Sequence, residues 1–370
     1  MIIKEGGTNK ILSKNKIYIA PNSNKSYIDI SKVLDNLVKT PIDNSDTILK
    51  NLNGTVSYFL EVTGVSGSGA VTDTKITTSV MSCFNGKLNN FDLYNGVMNA
   101  YYMQTGYISK FLTDRATASY LHYTANEHLY FLADADSDVF QIKIQYQYHN
   151  NSLSTYSLPF KDNGQLLHRL NLSPSALGNT IGLDLDNLKN IKVWLENTGG
   201  VAISQIRQYN LINYQCGLSI ANINWINDFG GLSSNTFIAP KETKQVSKTT
   251  LNTNGYLNRV AGVYSPIEKV LSANINNQYN ITSQVLTDEE FNTISNIINS
   301  RNVYAELTNG DLYPINLTTT AVEVLKKKYT KRHNRIELNF TSNANLNLDL
   351  FQVSITVINQ GFDYNFDIIL

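Results

Sequence analysis

Three aspartates at alternate positions, Asp134, Asp136 and Asp138 in "DADSD", have the spacing of the first three ligands of a calcium-binding loop. That template next requires glycine at 139 and a carboxylate at 145, where the chain has Val139 and Gln145. The expectation is an acidic turn between two strands and no resident metal, these aspartates being the only metal candidates. His122 and His128 flank "YTANE", and His149, His168 and His333 are scattered. No pair has the i, i+4 spacing of a helical zinc site and there is no CxxC, so packed or exposed histidines are expected. "GVSGSGAVTDTK" lacks the Gly-Lys-Ser/Thr ending of a phosphate cradle, and neither Ser66 nor Ser68 sits in G-x-S-x-G. Asp184 and Asp186 could form a glycosidase-type carboxylate pair, but a chain with 30 acidic residues supplies such pairs by chance. No catalytic or cofactor-binding residue stands out, and the expectation is a non-enzymatic protein.

Two further stretches draw attention. "LKKKYTKRHNR" gathers Lys326, Lys327, Lys328, Lys331, Arg332 and Arg335, enough charge to line a nucleic-acid channel or meet an acidic neighbouring subunit. A solvated hairpin tip is the plainer alternative. "WINDFGGLSSNTF" holds Trp225, Asn227, Gly230, Gly231 and Phe237. Asx side chains bond their own backbone in turns, and paired glycines permit positive φ, so these five residues are read as a structural corner. That corner is expected to close the first domain.

Composition sets the elements that must position these residues. A chain of 370 residues exceeds one ordinary core. Charged residues are 16%, whereas Asn numbers 48 and Tyr 22, so the polar surface is built from amides and hydroxyls. Aromatic residues favour strands and Asn favours turns, which reads as mainly β. The net charge of zero creates no global attraction for nucleic acid or an anionic membrane. Cys83 and Cys216 do not make a disulfide scaffold, and whether they meet is open. No apolar run reaches membrane-span length and the N-terminal stretch has no signal-peptide core, so synthesis in a cytoplasm without membrane insertion is expected.

Residues 1–50 read as an N-terminal arm with short strands in "IYIAPNSNKSYIDI" and a short helix near "DISKVLDNLVKT". Residues 51–228 read as an antiparallel β-sandwich or jelly-roll-like domain. It has a hairpin over 54–80 and strands at Val97–Met103, Ser119–Tyr123, His128–Ala133 and Phe140–Tyr148. In "FQIKIQYQYH" the residues Phe140, Ile142, Ile144, Tyr146 and Tyr148 alternate with polar ones, predicting one buried face. Residues 229–370 read as a strand-rich, split-barrel-like domain with one helix near 287–300. Thr287 caps that helix, Glu290 completes a capping box, and Phe291, Ile294, Ile297 and Ile298 form its apolar stripe.

Three passages, in order, resemble structural proteins of phages infecting Bacteroidetes, crAss-like phages included. They are "GYISKFLTDRATASYLHYTANEHLYFL" (106–132), "WINDFGGLSSNTF" (225–237) and "ITSQVLTDEEFNTISNIINSRNVYAELTNGDLYPINL" (281–317). Leu232 and Asp114 depart from the pattern. The resemblance implies a virion protein of the tail: a ring, hub or baseplate component, whose last domain is like tail-tube barrels. Its partners would be copies of itself in a ring, other virion proteins and, transiently, passing DNA. A receptor- or glycan-binding adhesin of the virion is the alternative. Replacing Lys326, Lys327 and Lys328 by glutamine should impair particle assembly or genome passage and leave the melting temperature of the purified chain unchanged. Unfolding would instead make the cluster structural.

Overall fold

In a computed structural model the described residues are 1–18, 28–38, 42–43, 45–65, 69–86, 100–134, 136–161, 164–212, 219–252, 259–260, 262–264, 268–320, 334–342 and 352–353. The molecule is mainly β, and its sheets are antiparallel apart from one parallel pair.

The chain opens with a hairpin of β1 (Ile2–Glu5) and β2 (Ile11–Lys14). A short helix, α1 (Ser31–Asp35), precedes β3 (Leu49–Leu52), β4 (Thr55–Val62), β5 (Ile76–Thr77) and β6 (Met81–Phe84). β1 pairs with β4, and Ile3 is fully buried, so the N-terminal residues belong to a sheet ordered β2-β1-β4-β5, with β6 also on β4. The expected short helix lies within this N-terminal stretch, at α1. The expected strands in "IYIAPNSNKSYIDI" do not form at 17–18 or 28–30, and residues 19–27 lie outside the described residues.

Next come β7 (Ala118–His122), β8 (His128–Leu132), β9 (Gln141–Tyr148), β10 (Leu153–Pro159) and β11 (Leu167–Asn171). Helix α2 (Pro174–Ile181) leads to β12 (Leu188–Glu196) and β13 (Arg207–Ile212). They make a five-stranded sheet, β10-β9-β12-β13-β7, and a three-stranded one, β3-β11-β8. One core joins the two, with Ile142, Ile144, Ile191 and Val193 from the larger sheet and Leu129, Phe131 and Leu170 from the smaller. Every residue of β8 and β11 is buried, because Tyr130, Leu132 and Leu167 on the other face pack into a second cluster. The alternation along β9 holds for Ile142 and Ile144, while Phe140 lies before the strand and is exposed. Of the expected strand Val97–Met103, residues 97–99 are outside the described residues, and Tyr102 makes only an isolated bridge to Leu132.

The remaining strands are β14 (Ser219–Ile226), β15 (Leu232–Asn252), the small hairpin β16 (Arg259–Val260) and β17 (Val263–Tyr264), and β18 (Glu268–Ser283). Helix α3 (Asp288–Ile294) is followed by β19 (Val303–Glu306), β20 (Leu312–Leu317), β21 (Glu337–Ser342) and β22 (Gln352–Val353). Pairing runs β15-β18-β21-β20-β19-β14 and returns from β14 to β15, closing a six-strand barrel. Its interior holds Trp225, Ile223, Phe237, Tyr279, Ile281, Leu338 and Phe340, all at most 1% exposed. Phe291, Ile294 and Ile297 from α3 and its 3-10 extension close the same core. The predicted capping box is present, with Glu290 N–H on the Thr287 hydroxyl at 3.2 Å and Thr287 N–H on the Glu290 carboxylate at 3.2 Å.

The barrel begins before residue 229. β14 and β15 are the arms of one hairpin, so an edge at 228 cuts the turn between two strands of the same barrel. Trp225 and Phe237 face the barrel interior together. Trp225→Ala should therefore lower the unfolding free energy by about 3–5 kcal/mol. Trp225→Phe should cost less, since it removes an indole N–H that has no partner in the barrel. Denaturant titration measures both, and an unchanged midpoint for Trp225→Ala would contradict the buried position.

Candidate assembly interface

The acidic turn is spoken for by the chain itself. Asp134 accepts from the Tyr102 hydroxyl and, at 2.9 Å, from Asp136 N–H; Asp138 accepts Thr105 N–H at 2.7 Å. Among the described residues no group of three or more His, Cys, Asp or Glu side chains could hold a metal ion. His168 stacks on Phe131 with ring centroids 5.1 Å apart, and burial pushes His128 down to about 3 and His122 down to about 4. These are packed histidines. Cys83 is a free, half-buried thiol, whereas Cys216 lies outside the described residues. So do Lys326, Lys327, Lys328, Lys331 and Arg332; Arg335 is described and exposed.

The corner at Trp225–Phe237 is built by one side chain. Asn227 Oδ1 accepts from Phe229 N–H at 2.9 Å and Gly231 N–H at 3.1 Å, and its Nδ2 donates to the Ser233 hydroxyl at 2.9 Å. Gly230 has φ +80°, and a Cβ there would lie 1.2 Å from the Asn85 carbonyl oxygen. A Cβ on Gly231 would meet Tyr130 at 2.8 Å and the Leu112 carbonyl at 2.9 Å. The glycines are needed because the turn is pressed against the first half of the chain.

Beyond the turn, the outer face of β14 and of the start of β15 is polar and buried. Asn222, Asn224, Ser234 and Thr236 share that face by register, and Asn222 donates to the Thr124 carbonyl at 2.9 Å. Arg115, fully buried, donates to Glu127 and to the Ser234 carbonyl, each at 2.6 Å. Glu290, already capping α3, accepts Tyr120 N–H at 2.9 Å. Two carboxyls lie at this junction without a full set of partners. Burial raises Glu306 to about 7 against the pull of Asn222 and Asn224, and Asp114 to about 6, with Asp228 adding to the rise and Asn296 and Arg115 opposing it. None of these long-range partnerships is visible in the sequence, whose only trace is polar residues in strand-like stretches.

A surface open to other molecules lies where β15 and β18 continue past the barrel pairings. β15 is 21 residues long and β18 16, yet β14 covers β15 only to Ile238 and β21 covers β18 only from Gln278 to Thr282. Among the described residues, Lys241–Asn252 and Glu268–Asn277 pair only with each other. At about 3.4 Å per residue this two-stranded arm reaches roughly 40 Å. Its described side chains from Lys241 to Asn252 and from Glu268 to Ala273 are all exposed, among them Val246, Leu251, Val270 and Leu271. Among the described residues neither outer edge of this ribbon has a pairing strand, and an isolated two-stranded ribbon is at best marginal in water.

Among the described residues no helix is long and apolar enough to cross a membrane. No protein-family model, no curated protein and no solved structure matches the chain.

The junction carboxyls make stability depend on pH with a defined sign. A carboxyl raised in the folded state contributes stability that is complete below its unfolded pKa and is lost as pH rises through its folded value. For Glu306 that loss runs from about pH 4.5 to about 7. The depressed His122 and His128 act oppositely over an overlapping range, so a difference between two proteins is needed. Glu306→Gln should gain on wild type by roughly 2–3 kcal/mol between pH 5 and pH 8. Parallel stability curves over that interval would contradict it.

Proposed function

We propose that this protein is a non-enzymatic structural subunit of a phage virion, a tail or baseplate ring, hub or connector component. In this reading it assembles through its projecting hairpin and strand edges. The observation that carries the proposal is the arm formed by Lys241–Asn252 and Glu268–Asn277, ordered as strands that no other strand covers among the described residues. A closed barrel has no edge to offer, so the arm and the outer strands of the other sheets are where a neighbour can add backbone hydrogen bonds. Repeated head-to-tail contact of this kind closes into a ring when the rotation between copies permits.

The three passages that resemble Bacteroidetes-phage structural proteins support the same reading, as does a surface low in charge and rich in Asn and Tyr. In it the first half of the chain is a β-sandwich or jelly-roll-like domain and the barrel is of the split kind used in tail tubes. The working location is the virion tail, after synthesis in the host bacterial cytoplasm, with other virion proteins and passing DNA as further contacts.

The test is removal of the arm. Replacing residues 242–277 with a short Gly-Ser turn retains every barrel pairing of β14, β19, β20 and β21. The shortened chain should keep a cooperative melting transition and run as a monomer in light scattering, while the full chain forms discrete rings under negative stain. A full chain that stays monomeric at tens of micromolar, or rings that survive without the arm, would overturn the proposal.

A further inference from the structure

We propose a saccharide-binding cleft at the end of the five-stranded sheet, remote from the arm and independent of the assembly reading. Its volume is about 440 Å³, and its walls are Tyr148, Asn150, Ser152, Asp184 and Asn187. That size is within the range of roughly 300–1,000 Å³ common for small-molecule sites.

Both walls are held by short-range bonds. On one side, the β9–β10 turn closes with Tyr148 N–H on the Ser152 carbonyl at 3.0 Å, and Asn151 takes a left-handed φ of 65°. Asn150 Oδ1 accepts from Ser152 N–H at 2.9 Å and from its hydroxyl at 2.7 Å; the exposed Asn150 amide N–H groups have no partner among the described residues. On the other side, a 3-10 turn at Leu185–Asn187 places Asp184, whose Oδ2 accepts from Asn187 Nδ2 at 2.7 Å. His149 N–H on the Asn187 carbonyl, at 2.8 Å, ties the two walls together. Tyr148 stands edge-to-face with Tyr146 at 5.7 Å, which fixes its ring.

This set suits a neutral sugar. A carboxylate with spare lone pairs accepts from adjacent hydroxyls, an amide N–H donates to one, and a tyrosine ring packs on the apolar C–H face of a pyranose. The lining has no cation to receive an anionic group, since Lys189 at the rim is turned to Asn151 Oδ1 at 3.4 Å. Only one carboxylate, Asp184, lines the cleft, where glycoside cleavage needs two, so the chemistry is binding without hydrolysis.

Saturation-transfer NMR on the full chain, with the methyl glycosides of glucose, galactose, mannose and N-acetylglucosamine, tests this. At least one should receive saturation through its ring protons. Asp184→Asn should weaken that ligand about tenfold, as expected for loss of a charged hydrogen bond, with an unchanged melting temperature. Tyr148→Phe should retain binding, and Tyr148→Ala should abolish it. If Tyr148→Ala fails to fold, Asp184→Asn decides the matter alone. Absence of transfer to all four glycosides, or an affinity indifferent to Asp184→Asn, would overturn the proposal.

Discussion

A strand with both faces buried must satisfy two environments at once, and β14 is that strand. Ala221, Ile223 and Trp225 point into the barrel, while Asn222 and Asn224 point at the first half of the chain. The barrel can close only if β14 turns back into β15, and it can dock only if that turn clears Asn85, Leu112 and Tyr130. Asn227 and Gly230 answer the first need, and Gly230 and Gly231 the second. A side chain at either glycine would open the hairpin or lift the barrel from its neighbour, and both changes expose the polar face behind it.

That polar face explains how the two halves are matched. An apolar seam would tolerate sliding, whereas buried donors and acceptors are satisfied in one register. Arg115 reads a carboxylate of its own half and a carbonyl of β15; Glu290 caps a helix of the barrel and receives an N–H from β7. The cost appears in Glu306, whose Oε2 is buried without a well-formed hydrogen bond, and in Asn224, fully buried beside it with only its interaction with that carboxyl. Burial raises Glu306 to about 7 although Asn222 and Asn224 favour its charged form, and the protonated carboxyl lowers the penalty of dehydrating it.

Local chemistry was legible in the sequence and distant chemistry was not. The Thr287–Glu290 box could be read because both partners lie within one helical turn, and the Asn227–Gly231 turn because its bonds span four residues. What that turn joins was misread: the residues announce a corner but carry no sign of which core receives Trp225. β8 and β11 show no alternation because both faces are buried, so periodicity had nothing to report. Helix α2 did leave a signal, Pro174 at its start and Gly182 with φ +71° at its end, hidden among Ser and Asn. Arg115 and Asp114 each also take a partner more than 100 residues away, Ser234 and Asn296, and only the fold brings those together.

The contrast between the barrel and its arm carries the functional reading further than any single residue. In the barrel, each strand's backbone is bonded on both sides and its inner side chains are fully dehydrated. In the arm the same two strands continue with no third strand beside them among the described residues, and the described side chains of Lys241–Asn252 and Glu268–Ala273 are exposed. Extending a hairpin this way spends conformational entropy that burial does not return within the chain. Lys241, Lys244, Lys248 and Lys269 oppose indiscriminate pairing along its edges, while Val246, Leu251, Val270 and Leu271 retain the apolar surface that a matched strand could cover. Such a ribbon discourages chance partners and favours one of complementary pattern, which in the proposed assembly is an identical copy presented at a fixed angle by the barrel.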